Sequence, residues 1–241
     1  LDYLIKAGFA ILTKSRRNLH KDALMLIKRQ KPGIELVNAN YIPNPPFLIT
    51  VNHFSKPGFS ALWLVMAINS AVKFPTRWMM TNAWTFPGRK FHNLYEKIST
   101  WIFKRIAQVY QFILTPALPA KFENSIQAAM AIREIIRYAR SNPTIVIGLA
   151  PEGQDFPGGV LGMPTPGTGL LINEIIKIHP QILPVGFYYK DGHYVTVFGE
   201  PYQAIPLAGD DRKAIDKIMI LQVMKAIAVL LPIELQGEFR E

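Results

Sequence analysis

Two short apolar runs limit most sharply what this chain can fold into. The first, Phe47-Leu48-Ile49-Thr50-Val51, leads into Asn52-His53. The second, Thr144-Ile145-Val146-Ile147-Gly148-Leu149-Ala150, leads into Pro151-Glu152-Gly153. Both are rich in β-branched or bulky apolar residues, are short and are flanked by proline, so both read as buried strands. In open α/β sheets, ligands bind beyond the carboxyl ends of the strands. A histidine and a glutamate delivered to one sheet edge would therefore share a site.

The rest of the chain alternates strands with helices. Gly33 to Val37 reads as a short strand, and Asn44-Pro45-Pro46 as a turn into the His53 strand. Ser55 to Gly58 is suited to start a helix, with Ser or Lys near the N-cap and Pro57 in the first turn. Residues 59 to 72 continue that helix. Further helices are expected over about 94–106, from Asn124 or Ser125 to about Arg140, over 168–178 and over about 211–231. Strands are expected at Ile182–Tyr189 and Tyr194–Phe198, joined by the hairpin signal Asp191-Gly192. The pattern predicts an α/β fold with one domain, a mixed and mostly parallel sheet flanked by helices, and a basic amphipathic helical segment at the N-terminus.

The chain has 241 residues, of which 49% are hydrophobic, and its mean hydropathy is slightly positive. That composition fits a membrane-associated domain. No apolar stretch reaches the roughly 18 to 20 residues of a spanning helix; the longest, Ile98 to Leu118, is interrupted by Lys104 and Arg105. Net charge is +10, and residues 1–31 carry eight Lys/Arg against only Asp2 and Asp22. Leu4, Ile5, Phe9, Leu12, Leu19, Leu24 and Ile27 interleave with those bases. Segment 1–32 is thus expected to lie on an anionic membrane surface, with 33–241 as the α/β domain. A solvated basic face is the plainer reading. No nucleic-acid-binding module is recognisable. The absence of cysteine excludes disulfides, a thiol nucleophile and thiolate metal sites. His20, His92, His179 and His193 are scattered without metal-ligand spacing, so no metal is expected. The chain begins at Leu1 rather than Met, as expected if a leading piece has been removed.

Asn52-His53, Pro151-Glu152-Gly153 and Leu183-Pro184-Val185 together resemble three of the four motif blocks of the glycerol-3-phosphate and 1-acylglycerol-3-phosphate acyltransferase superfamily. Order and rough spacing match over about residues 34 to 203. The family's first motif is H-x-x-x-x-D, and here its sixth position is Gly58. The resemblance implies a peripheral membrane enzyme at the cytoplasmic face. It would move a fatty acyl group from an acyl thioester, of coenzyme A or acyl carrier protein, to a hydroxyl of a lipid or lipid-like acceptor. The thioester is a co-substrate, and no cofactor is implied. The sequence assigns no oligomeric state.

Such a transfer needs a base for the hydroxyl proton, a stabiliser for the oxyanion and a means of holding the reactants together. His53 is the natural base, since imidazole titrates near neutrality; the alternative is a histidine satisfied by a carbonyl. The family's aspartate orients the histidine as the third member of a triad does, and Gly58 cannot. Asp155, three residues after Glu152, is the candidate substitute, or else a solvated loop carboxylate. Backbone N–H groups near Ser55 to Gly58 are candidates for oxyanion contact. The resemblance implies that Glu152 and Gly153 bind the acceptor, with Asn52, Ser55, Gly58 and Thr115 in the substrate site; an ordinary turn is the other reading of Pro-Glu-Gly. Thr115 and Asp155 stand where the family has phosphate-associated arginines, which points away from a simple glycerol phosphate acceptor. Trp78, Trp84, Phe86 and Phe91 are core residues by default, or else line an acyl tunnel or sit at the headgroup level. Two further readings stand beside acyl transfer: a catalytically silent relative that binds acyl chains or lipid, and a thioesterase-like hydrolase.

Overall fold

The computed structural model describes residues 2–54, 56, 61–83, 90–116, 125–142 and 144–240. Its elements begin with α1 (Asp2–Thr13), α2 (Leu19–Ile27), β1 (Ile34–Val37), β2 (Phe47–Val51), α3 (Ala61–Ala71) and β3 (Thr76–Thr81). Then come α4 (His92–Tyr110), β4 (Ile113–Thr115), α5 (Ser125–Ser141), β5 (Val146–Leu149) and α6 (Thr168–Ile176). The chain closes with β6 (Gln181–Lys190), β7 (His193–Phe198), β8 (Tyr202–Gln203) and α7 (Arg212–Ala228). The backbone clusters into two compact units: residues 1–18 with 77–137, and residues 19–76 with 138–241. Helix α1 falls in the first unit and α2 in the second.

The architecture is α/β, with a mixed, mostly parallel sheet flanked by helices. In the larger unit the strands lie in the order β1-β7-β6-β2-β5, and β8 pairs with β6. β1 runs parallel to β7, and β2 runs parallel to both β6 and β5. β6 is antiparallel to β7 and β8. All five residues of β2 and all four of β5 are buried. Strands covered on both faces need continuous apolar side chains rather than alternation, and Phe-Leu-Ile-Thr-Val meets that need. Helix α2 packs on α3, and α7 packs on α6, β6 and β2.

The smaller unit holds α1, α4 and the parallel pair β3–β4, with Met79 opposite Ile113. α1 packs against α4. Neither β3 nor β4 is predicted from the sequence. In β3, Thr76 and Trp78 are buried while Arg77 gives one N–H to Gln111 Oε1 at 2.9 Å. Trp78 is therefore a core residue, whereas Phe91 is 73% exposed; Trp84 and Phe86 lie outside the described residues.

Candidate functional site

The strand register brings the two polar strand ends level. Thr50 sits opposite Leu149 in the parallel β2–β5 pair. His53 and Glu152 each lie three residues beyond that pair, on the same edge. β2 ends at Val51, and the next residue is held by its side chain. Asn52 is buried, and its amide clamps the Phe187 backbone of β6: Nδ2 donates to the carbonyl at 2.8 Å, and Oδ1 accepts the N–H at 2.7 Å. Phe54 N–H then donates back to Asn52 O at 3.1 Å, a tight three-residue turn centred on His53. The Phe54 ring is buried against Phe187 and Tyr194. The chain is thus pinned on both sides of His53, whose side chain is 25% exposed.

Its Nδ1 lies 2.6 Å from Asp155 Oδ1. The two groups are in contact, with the carboxylate off the line of a ring N–H bond. Catalytic hydrogen bonds are commonly misaligned without substrate and tighten when it binds. With Nδ1 facing Asp155, Nε2 is the nitrogen left for a substrate proton; among the described residues nothing bonds to it. Asp155 is 59% exposed, so water screens the pair.

Glu152 is 1% exposed, and each of its oxygens accepts a backbone N–H. Oε2 accepts the backbone N–H of His53 at 2.5 Å, and Oε1 that of Gly162 at 3.0 Å. Burial drives its pKa from 4.5 up to about 7, against the lowering by the Gly162 and His53 N–H groups and by the His53 charge. Gly153 turns the chain with φ +68 and donates to Ala150 O. A side chain at Gly162 would meet the Phe156 ring at 2.2 Å. Glu152 therefore closes the 153–162 loop on itself and fastens it to the His53 turn. That loop carries Asp155.

The structure brings His53, Glu152, Gly153 and Asp155 together. It places Asn52 beside them as a backbone clamp. Thr115 lies on β4 of the smaller unit, where its hydroxyl donates to Met80 O at 3.1 Å. Ser55 and Gly58 fall outside the described residues, as does the helix start expected there; so does most of the backbone proposed for oxyanion contact. Lys56, which is described, holds its Nζ 3.0 Å from the centroid of the Tyr189 ring.

No protein-family description matches the chain, and no curated protein matches it. Among solved structures it is similar to the crystal structure of the 1-acyl-sn-glycerophosphate (LPA) acyltransferase PlsC from Thermotoga maritima. Identity is 15% and the TM-score 0.45, over 91% of this chain and 88% of that one. Likeness at this level says nothing of activity.

Sequence reasoning missed Gly162 and Phe187, which hold the site from 10 and 135 residues away. A glycine in a Gly/Pro-rich loop was the one visible signal for the first; none existed for the second. Elsewhere, His20 Nδ1 bonds Asn69 O, and His193 meets Glu35 at 3.1 Å. His179 is buried without a side-chain partner among the described residues, and burial lowers its pKa. No group of three His, Asp or Glu able to hold a metal occurs among the described residues.

Proposed function

We propose that this chain transfers an acyl group from a thioester to a hydroxyl, with His53 as general base and Asp155 as the group that orients it. The observation that carries the reading is the 2.6 Å His53–Asp155 contact. Asp155 supplies from the 153–162 loop the carboxylate that Gly58 does not. His53 Nε2 takes the proton of the acceptor hydroxyl as its oxygen bonds to the thioester carbon. The tetrahedral oxyanion collapses, the C–S bond breaks, and the imidazolium returns its proton to the departing thiolate. Asp155 stabilises the imidazolium between the two steps. The donor is an acyl thioester of coenzyme A or acyl carrier protein. The acceptor is a lipid or lipid-like alcohol at a membrane surface, approached from the cytoplasmic face. With Thr115 and Asp155 in place of arginines, it is not a simple glycerol phosphate. The basic amphipathic segment 1–32 supports attachment to an anionic surface.

Gly58 and the exposure of Asp155 favour a second reading, a catalytically silent relative that binds acyl chains. Thiol release from acyl-coenzyme A and acyl carrier protein donors separates the two, measured with and without lipid and polyol acceptors. Acceptor-dependent release that disappears in His53→Ala supports transfer. Release without acceptor means hydrolysis. Lipid binding with no release from either carrier supports the silent relative. In that case Gly58→Asp should raise activity; if it does not, the missing aspartate is not the cause.

A further inference from the structure

Helix α4 has two apolar sides, and one of them is exposed over the first three turns. Ser99, Phe103 and Ala107 are buried on one side, and Val109, in the last turn, is buried on the other. Phe91, Leu94, Tyr95, Ile98 and Trp101 are 73%, 55%, 46%, 47% and 45% exposed. At 3.6 residues per turn, the four within the helix, Leu94, Tyr95, Ile98 and Trp101, fall within an arc of about 120°, whose centre lies about 140° from the side of Ser99, Phe103 and Ala107; Phe91 precedes them at the N-cap. Every residue from Lys90 to Ile98 is exposed, so the first two turns stand clear of the smaller unit. An apolar stripe of this length, about 15 Å along the axis, is not left bare without use.

Charge indicates what covers it. Lys97 and Lys104, seven residues apart, lie along one margin of the stripe; Lys90 precedes the helix, and all three are exposed. Arg105 lies over the Trp101 ring, 5.3 Å from its centroid. Glu96 is the helix's one acid and faces nearly the opposite way. The unit containing α4, residues 1–18 and 77–137, holds thirteen Lys/Arg against four Asp/Glu, which is +9 of the chain's +10. A second copy would meet this face with the same charge, which disfavours self-association. An anionic bilayer complements it. Leu and Ile enter the acyl boundary, Tyr and Trp suit the headgroup level, and lysines on aliphatic stems reach the phosphates.

We propose that the exposed stripe of α4 is a membrane-contacting face and that its occupant is an anionic lipid bilayer. It adds a contact beyond segment 1–32 and stands independently of the acyl-transfer reading. The test uses vesicles of phosphatidylglycerol and of phosphatidylcholine, with the full chain. Wild type should bind the first more tightly. Leu94→Glu with Ile98→Glu, both at exposed positions, should weaken that binding about tenfold or more. His53→Ala should bind as wild type does, so loss of catalysis and loss of docking are separable. Because the chain has no cysteine, a polarity-sensitive dye on Ile98→Cys reports the face directly. Its emission should shift to the blue on phosphatidylglycerol and be quenched by brominated lipid. Unchanged binding by the double variant, or a dye that ignores vesicles, would overturn the proposal. So would a dye shift that follows protein concentration without lipid, since that marks contact between copies.

Discussion

A buried carboxylate that accepts two backbone N–H groups is hard to replace, because any substitute leaves a donor unmet. Glu152→Gln keeps the volume, but its NH2 group must oppose either the His53 or the Gly162 N–H. A loss of about 1 to 3 kcal/mol in stability is expected, together with lower turnover, since the His53 turn moves. Glu152 also imposes a pH dependence. Its pKa rises from 4.5 to about 7 on folding, so between these values the folded protein holds a proton that the unfolded chain releases. Stability from this group is full below about pH 4.5 and declines as pH rises to about 7, by about 3 kcal/mol for the whole shift. Urea unfolding of wild type and Glu152→Gln at pH 5 and 7.5 checks this. The wild type should lose more between the two; equal losses would mean that the carboxyl does not titrate in that window. Asp155 behaves in the opposite way. It is 59% exposed, so Asp155→Asn should change stability by less than about 0.5 kcal/mol. If it orients His53, turnover should drop by up to about 10⁴-fold, the loss seen when a triad carboxylate is disabled. Full activity in that variant would remove Asp155 from the mechanism.

At the scale of elements, the junction of α6 with α7 depends on close backbone approach. Gly167, with φ +95, precedes α6, and the Asp216 carboxylate on α7 accepts its N–H at 2.8 Å and that of Leu170 at 3.0 Å. One helix thus supplies the cap of the other. A Cβ at Gly169 would sit 2.1 Å from the Asp216 backbone oxygen. Gly169→Ala is expected to destabilise by about 2 to 3 kcal/mol by forcing the helices apart, and Asp216→Ala by about 1 to 2 kcal/mol. Thermal unfolding of the two variants measures both, and a neutral Gly169→Ala would show that the helices separate freely. None of this packing is legible in sequence, where Thr168 to Ile176 shows a helix and not what it touches. The strands that carry the site are legible for a definite reason. β2 and β5 are apolar throughout because both faces are covered, and each ends in a change to polar residues. β3 has no such contrast, since Arg77 interrupts it, and β4 is three residues long. The nearness of His53 to Asp155 follows from a readable placement on adjacent strand ends. The role of Asn52 does not, because a polar residue at a strand end suggests a ligand contact whether it faces a substrate or a backbone 135 residues away. The α4 stripe is visible as spacing, but spacing alone does not distinguish a covered face from a bare one.

For the whole molecule, the placement of charge should matter more than its total. One compact unit carries +9; the other, which contains His53, Glu152 and Asp155, carries +1. Average surface potential would treat any lysine alike. A bilayer contact on α4 would not, because each Lys near an anionic surface contributes about 1 kcal/mol and the effect fades beyond a Debye length of about 10 Å at 0.1 M salt. Two triple variants with the same net charge separate these cases. Lys90→Gln with Lys97→Gln and Lys104→Gln removes three charges beside the stripe. Lys190→Gln with Lys213→Gln and Lys217→Gln removes three exposed charges from the larger unit. On phosphatidylglycerol vesicles at 0.1 M salt, the first should lose about a hundredfold in partitioning, from about 3 kcal/mol. The second should stay within about threefold of wild type, since none of its charges is carried by α4. Its binding should also fall with added salt as steeply as the wild type's, while the first variant's dependence flattens. Equal losses in the two variants would mean that the chain responds to membranes through net charge alone, and α4 would then have no special part in the contact.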